Sequence, residues 1–293
     1  MSDTSDLSQR ISYENVPGFF IQSDSSTDPQ AHLPTFGLKS RTSSTYWKDF
    51  EVKIKKLQES APGKVRYVVC WLARHGQGWH NVCVDEYGAV AWENHWSKRN
   101  SDGKITWGPD AKLTPLGETQ AKDVNDIWKK ELSRPGDPIP VPSKLFSSPL
   151  ARALATLDLT FKDVLPKDEN TDEAVRKPLV MENLREALAP YTSDHRSTKN
   201  DIQKTYPGVI FEKSFTEEDQ LWSKSVSESN KHFMSRMKAT LDHIFEDLLE
   251  DTDTFISITT HSGVAAMILQ LIGHRDYPLP AGGVVPVVIK ATF

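Results

Sequence analysis

Residues 73 to 81 read Ala-Arg-His-Gly-Gln-Gly-Trp-His-Asn, a polar, glycine-rich turn behind the near-continuous apolar run Val65 to Leu72. An arginine beside a histidine sets a permanent cation next to an imidazole whose unperturbed pKa lies close to physiological pH. Such a pair suits a phosphoryl group. Three more positions carry matching chemistry: Arg152 after Ser147-Ser148-Pro149, Glu186 after Leu179 to Met181, and His261 after Thr254 to Thr260. Each follows a segment that reads as a strand, and in open α/β folds the turns at strand ends share one edge. Two arginines, two histidines and a carboxylate then converge there. Free N–H groups and the positive dipole end of each following helix add attraction for an anion, so the turns together describe a phosphate pocket.

The elements that must position these groups are legible from spacing. Trp47, Phe50, Ile54 and Leu57 fit a short amphipathic helix over 47 to 59, ended by Pro62-Gly63. Thr114 reads as an N-cap with Pro115 at the first helical position and Glu118 in the first turn, opening a helix that runs to about Leu132. Ser143 to Phe146 reads as a strand, with a helix starting at Ser147-Ser148-Pro149-Leu150; Ser225 to Leu249 reads as a long helix, Gly263 to Ile272 as another, and Val284 to Ile289 as a last strand. Strands alternating with helices predict an α/β fold, a three-layer α/β/α sandwich with a mostly parallel central sheet. Residues 1 to 45, rich in Ser, Asp and Thr, read as an arm packed on the domain, with Phe19, Phe20, Ile21 and Phe36 as anchors. The domain spans 46 to 293, with cap insertions at about 84 to 111 and 186 to 224 lying over the C-terminal strand ends.

A chain of 293 residues is long enough to bury a substantial core. Its net charge of -5 and pI near 6.0 leave no electrostatic footprint for nucleic acid or an anionic membrane. Any anion site must be local. Met1 to Arg10 lacks an apolar signal-peptide core, and the longest apolar stretch, Val264 to Ile272, is too short to span a bilayer. Two cysteines and no Asn-x-Ser/Thr sequon argue against a secreted disulfide framework, and Cys70 reads as a core residue. The expected location is the cytoplasm, with the nucleus also open, and the expected partner is a small phosphorylated metabolite. No His/Cys/Asp spacing suggests a metal, and no cofactor is expected.

Taken together, the motifs resemble the histidine phosphatase superfamily, branch 1, whose fold is phosphoglycerate-mutase-like; within it the chain is similar to fungal phosphomutase-like proteins. Arg74-His75-Gly76, with Asn81 six residues after the histidine, resembles the Arg-His-Gly signature. Leu113-Thr114-Pro115-Leu116-Gly117 with Gln120 and Ala121, Ser148-Pro149-Leu150-Ala151-Arg152-Ala153 to Thr156, Leu184-Arg185-Glu186, and Thr260-His261-Ser262-Gly263 resemble the other four elements, in family order. The resemblance implies a two-step displacement. His75 attacks phosphorus and forms a phosphohistidine. Arg74 and Arg152 bind the non-bridging oxygens and lower the His75 pKa. His261 is a further donor and Asn81 a neutral one, with Gly76 and Ser262 also at the phosphate. Glu186 acts as acid and then as base, which needs a raised pKa; Glu182, one helical turn earlier, is the alternative acid.

Other residues take plainer readings. His80 is either a pocket wall that meets phosphate or substrate, or a solvated loop residue. His195, with Asp194 and Arg196, reads as part of a cap salt-bridge network, and Trp92, Trp96 and Trp107 read as packing. Gly78 and His80 stand where phosphoglycerate mutases resemble Arg-His-Gly-x-Ser-x-Trp-Asn, and the aromatic-glycine-tryptophan segment of those enzymes is missing. Gly78, His80 and Ser262 also depart from the secreted acid phosphatases and phytases. The expected activity is therefore hydrolysis of a phosphoester without a metal, the alternatives being a mutase-type phosphotransferase or a catalytically silent phospholigand-binding domain.

Overall fold

In the computed structural model the described residues are 11–30, 33–166 and 176–293; the first ten residues of the arm lie outside them. Seven strands form one sheet in the order β1-β7-β2-β6-β3-β4-β5. In chain order they are β1 (Ser12–Asn15), β2 (Val65–Arg74), β3 (Lys144–Ser147), β4 (Leu179–Val180), β5 (Ile210–Phe211), β6 (Phe255–Thr260) and β7 (Val284–Thr292). The pairings β2–β6, β6–β3, β3–β4 and β4–β5 are parallel, and only β7 with its two neighbours is antiparallel.

Strand β2 explains its own composition. Val68, Cys70 and Leu72 point into a core built with Phe233, Met237 and Leu241 of α7 (Asn230–His243) and Val264, Ala265 and Ile268 of α8 (Ser262–Leu271). Val69 and Trp71 point the other way, against Trp47, Phe50 and Ile54 of α1 (Tyr46–Glu59), Val124 and Trp128 of α4 (Pro115–Leu132), and Leu157 and Phe161 of α5 (Ala151–Phe161). Both faces are covered, so the strand has no polar alternation. The three layers expected from the sequence are present.

Local helix signals hold where they are strongest. Thr114 Oγ1 accepts the Gly117 N–H at 3.1 Å, and Pro115 is the first residue of α4. Two helix starts differ from expectation. Pro149 stands outside α5, which starts at Ala151 behind Leu150. Residues 225–229 are not helical either, because the Ser229 hydroxyl accepts the His232 N–H at 3.2 Å and caps α7 at Asn230; a π-helical turn, Ile244–Leu248, follows its end.

The described part of the N-terminal segment is woven into the domain. Strand β1 pairs antiparallel with β7, Ile11 and Tyr13 join one core face, and Phe20, Phe36 and Leu38 the other. Phe19 and Ile21 are only partly buried. The buried Glu131 of α4 accepts from Trp47 Nε1 at 3.0 Å and from the Tyr46 hydroxyl at 2.6 Å, locking α1 to α4.

The parallel register sets the site. Arg74 pairs with Thr260, Ser147 with Thr259, and Ser147 with Val180. The chains leaving β2, β3, β4 and β6 therefore emerge side by side on one edge of the sheet.

Candidate active site

The turn after β2 is held on every side. His75 N–H donates to Thr260 O and its carbonyl accepts from Gly282 N, both at 2.9 Å. A Cβ on Gly76 would stand 2.3 Å from Gly117 O, so the turn packs directly on the first turn of α4, where only glycine permits such an approach. Gly76 N–H donates to Thr156 Oγ1 at 3.0 Å, and Thr156 returns a bond to Arg152 O at 2.8 Å. Gln120 Oε1 accepts Gln77 N–H at 2.7 Å. The turn and α5 are therefore one rigid unit.

Within that unit His75 is 2% exposed. Its Nδ1 stands 2.6 Å from Gly76 O, a contact that requires a proton on Nδ1 and leaves the lone pair on Nε2. Arg152, on the first turn of α5, donates through Nε to that Nε2 at 3.2 Å, through Nη1 to Ser193 O at 2.9 Å and through Nη2 to Asp194 Oδ1 at 2.7 Å. His261 caps α8 with its ring centroid 5.0 Å from that of His75; its Nε2 meets Ser148 Oγ at 2.7 Å, and its buried Nδ1 has no partner. Arg74 donates to Leu279 O at 3.0 Å through Nη1, while its buried Nε is unpartnered.

Glu186 is partly buried, its carboxylate seated on the first turn of α8. Oε2 accepts Gly263 N–H at 3.0 Å, with Ser262 Oγ at a long 3.5 Å, and Oε1 accepts Ala187 N–H at 2.9 Å. All these donors are neutral. Burial raises the Glu186 pKa above the ordinary carboxylate value, the backbone donors opposing it only in part. Burial first, and then the Arg152 cation, holds His75 well below the ordinary imidazole value; His261 is lowered in the same way. A neutral imidazole and a carboxyl group inclined to hold its proton thus share one electrostatic environment with the Arg74 and Arg152 guanidinium groups. A neutral imidazole, a carboxyl group and two guanidinium groups are the groups that nucleophilic and acid–base chemistry on an anion requires.

The sequence profile of the histidine phosphatase superfamily, branch 1, matches residues 70–281. The chain belongs to this superfamily. Among similar proteins, one from Arthroderma benhamiae named "Probable phosphoglycerate mutase" is 40% identical over 96% of this chain and 84% of its own length. "Phosphomutase-like protein 3" of Candida albicans is 32% identical over 94% of this chain and 79% of its own. The alpha-ribazole phosphatase structure from Shigella flexneri aligns with 70% of this chain and 80% of its own at 17% identity and a TM-score of 0.41.

Against the superfamily's motifs, Arg74, His75, Gly76, Arg152, Glu186, Ser262 and His261 all come to the one edge, and His80 stands 5.4 Å from His75 ring to ring. Asn81 is partly engaged elsewhere: its Oδ1 accepts Gly78 N–H at 2.9 Å and caps α2 (Trp79–Tyr87). Glu182 lies in a different environment, with Arg185 Nη1 at 3.0 Å and Arg196 Nε at 2.9 Å. The expected salt-bridge grouping of residues 194 to 196 divides. Asp194 pairs with Arg152 and Arg196 with Glu182, while His195 stacks on Trp222 at 4.3 Å and 9°. Trp92, Trp96 and Trp107 pack on one another and around Cys83.

Two carboxylates at the site escaped sequence reasoning. Asp110, 4% exposed, accepts Ala151 N–H at 2.8 Å and so caps the helix that carries Arg152. Its other oxygen accepts Ser197 N–H at 2.8 Å and the Ser197 hydroxyl at 2.7 Å, joining segments 87 residues apart in the chain. Asp194 is visible as an acid but not as the partner of Arg152. The only local hint at Asp110 is the Gly108-Pro109-Asp110 turn signal.

Proposed function

We propose that this chain is a metal-independent phosphatase that hydrolyses a small intracellular phosphoester through a phosphohistidine. The observation that carries this reading is the tautomer of His75. With Nδ1 tied to Gly76 O, Nε2 holds its lone pair toward Arg152, the group that would otherwise bind a phosphoryl oxygen. In the resting site Arg152 Nε–H covers that lone pair at 3.2 Å. An arriving phosphate dianion is the stronger acceptor, so it draws the guanidinium onto its own oxygens and uncovers the nucleophile.

His75 Nε2 then forms a bond to phosphorus as the ester P–O bond breaks, and Glu186 passes its proton to the departing oxygen. Arg74, Arg152 and His261 hold the three phosphoryl oxygens as charge moves among them. In the second half Glu186, now a carboxylate, takes a proton from water. The water oxygen bonds to phosphorus, the P–N bond breaks, and its electron pair returns to Nε2. Phosphate leaves and Glu186 is again protonated.

Hydrolysis is favoured over phosphotransfer by Gly78 and His80 at the two places where mutase motifs carry serine and tryptophan. Names of relatives that mention mutases make the mutase reading the one to test beside it. A phosphate-release screen over sugar phosphates, nucleotides and thiamine diphosphate-like esters, run beside a mutase assay and with excess chelator, should release phosphate from at least one ester at an unchanged rate. Transfer between hydroxyls without phosphate release would favour the mutase; chelator loss restored by Mg²⁺ would refute metal independence.

A further inference from the structure

His80 sits on the first turn of α2, and its Nδ1 is fully buried without a hydrogen-bond partner. A buried, unpaired ring nitrogen costs free energy unless a ligand satisfies it. The ring faces that of His75 with centroids 5.4 Å apart, and burial together with Arg152 and His75 keeps His80 well below the ordinary imidazole value, so it is neutral. A phosphorus atom in near-attack range of His75 Nε2, roughly 3–3.5 Å away, brings its oxygens within reach of the neighbouring ring.

Gly78 supplies the second, independent observation. Its φ of -97° and ψ of 161° are extended backbone open to any residue, so conformational freedom does not explain the glycine. Space does. A Cβ there would stand 2.6 Å from His80 Nδ1 and 2.7 Å from its Cε1, while the next neighbour, Lys112 O, is at an ordinary 3.4 Å. The missing side chain is the room that the imidazole occupies.

We propose that His80 is a further substrate-contacting residue, its Nδ1–H donating to a non-bridging oxygen of the phosphoryl group in transfer, and that Gly78 is glycine to admit that ring. This rests on the phosphohistidine reading above. Gly78 and His80 then form one specificity unit: the small residue and the donor are useful only together.

Titration of inorganic phosphate, with turnover measured in parallel, tests the unit in four variants. His80→Phe keeps the ring volume without the donor and should weaken phosphate binding about 10- to 100-fold. His80→Asn, whose amide nitrogen can stand where Nδ1 stood, should recover most of that loss. Gly78→Ala should reproduce the His80→Phe defect by displacing the ring, and the Gly78→Ala/His80→Phe double variant should be no worse than either single one. Phosphate affinity unchanged in His80→Phe, or a Gly78→Ala defect that adds to it in full, overturns the inference. Should His80→Phe not fold, Gly78→Ala decides alone, since wild-type phosphate affinity there is equally fatal. A wild-type protein that turns over no ester would instead count against the phosphatase reading, while the phosphate titrations still judge His80.

Discussion

Two clusters of this molecule each set two arginines beside acids, and they differ in how completely their polar groups are paired. Around Asp219, Arg185 makes a two-pronged pair with that carboxylate at 2.7 Å on both oxygens, Glu182 bridges Arg185 and Arg196, and Arg196 directs its remaining N–H groups to the carbonyls of Thr216, Glu217 and Glu218. Both terminal nitrogens of Arg185 and all three nitrogens of Arg196 are engaged there. At the sheet edge a few residues away, Arg74 Nε, His80 Nδ1 and His261 Nδ1 are buried and unpartnered, and Glu186 is held only by neutral donors. The first arrangement fixes a shape, because a satisfied buried pair has no further use for water or substrate. The second keeps nitrogens of Arg74, His80 and His261 that an anion's oxygens can meet. Between these two clusters, satisfaction of hydrogen bonds marks the difference more than abundance of charge does.

Exchanging the acids breaks that comparison most sharply. Glu186→Gln should lower kcat on an alkyl phosphoester about 10²- to 10⁴-fold, the usual worth of a positioned proton donor, while substrate binding changes little. On p-nitrophenyl phosphate, whose leaving group departs without a proton, the loss should be much smaller. Glu182→Gln should instead act on stability; a larger turnover defect there than in Glu186→Gln would make Glu182 the acid. The pH profile carries the same sign. Activity needs His75 neutral, so it rises as pH climbs through the lowered His75 value; it needs Glu186 protonated, so it falls as pH climbs through the raised Glu186 value. In Glu186→Gln the falling limb of kcat/KM should disappear.

The Arg185–Asp219 network gives the next effect. Asp219 has no exposed side-chain surface; burial would raise its pKa, but Arg185 and the backbone N–H groups of Trp222 and Arg196 outweigh it and lower the value to about 2. Asp219→Asn should destabilise the fold by about 3–5 kcal/mol, because Arg185 is left buried with half its partner gone. The wild-type contribution is complete above the ordinary aspartate value and is lost as pH falls through about 2, so acid unfolding of the variant should lack that portion of the pH dependence. Denaturant melts between neutral and acid pH measure both. A stability change within experimental error would mean that the charges around Asp219 are no better paired than those of the site.

How far the sequence could be read follows the same division between local and distant causes. Thr114 and Pro115 announced α4 because an N-cap and a first-position proline act on their own neighbours. Arg74, His75, Arg152, Glu186 and His261 were legible because each follows a strand whose apolar character is visible, and parallel register brings the turns together. Strand β1 was not legible: Ser-Tyr-Glu-Asn buries only its tyrosine fully, and its pairing with β7 spans nearly the whole chain. The helical spacing from Ser225 hid the fact that Ser229 competes for the backbone and starts α7 later. Asp110 and Asp194 serve Ala151 and Arg152 across 41 and 42 residues, a distance over which no periodicity carries information.

The central claim is that the Nε2 lone pair of His75 takes the phosphoryl group, and acid–base trapping tests it directly. Rapid quenching of wild-type protein turning over a ³²P-labelled phosphoester should yield one label per chain, lost in acid, stable in base and located on His75, and absent from His75→Ala. Label that survives acid, that maps to another residue, or that persists in His75→Ala would contradict the account.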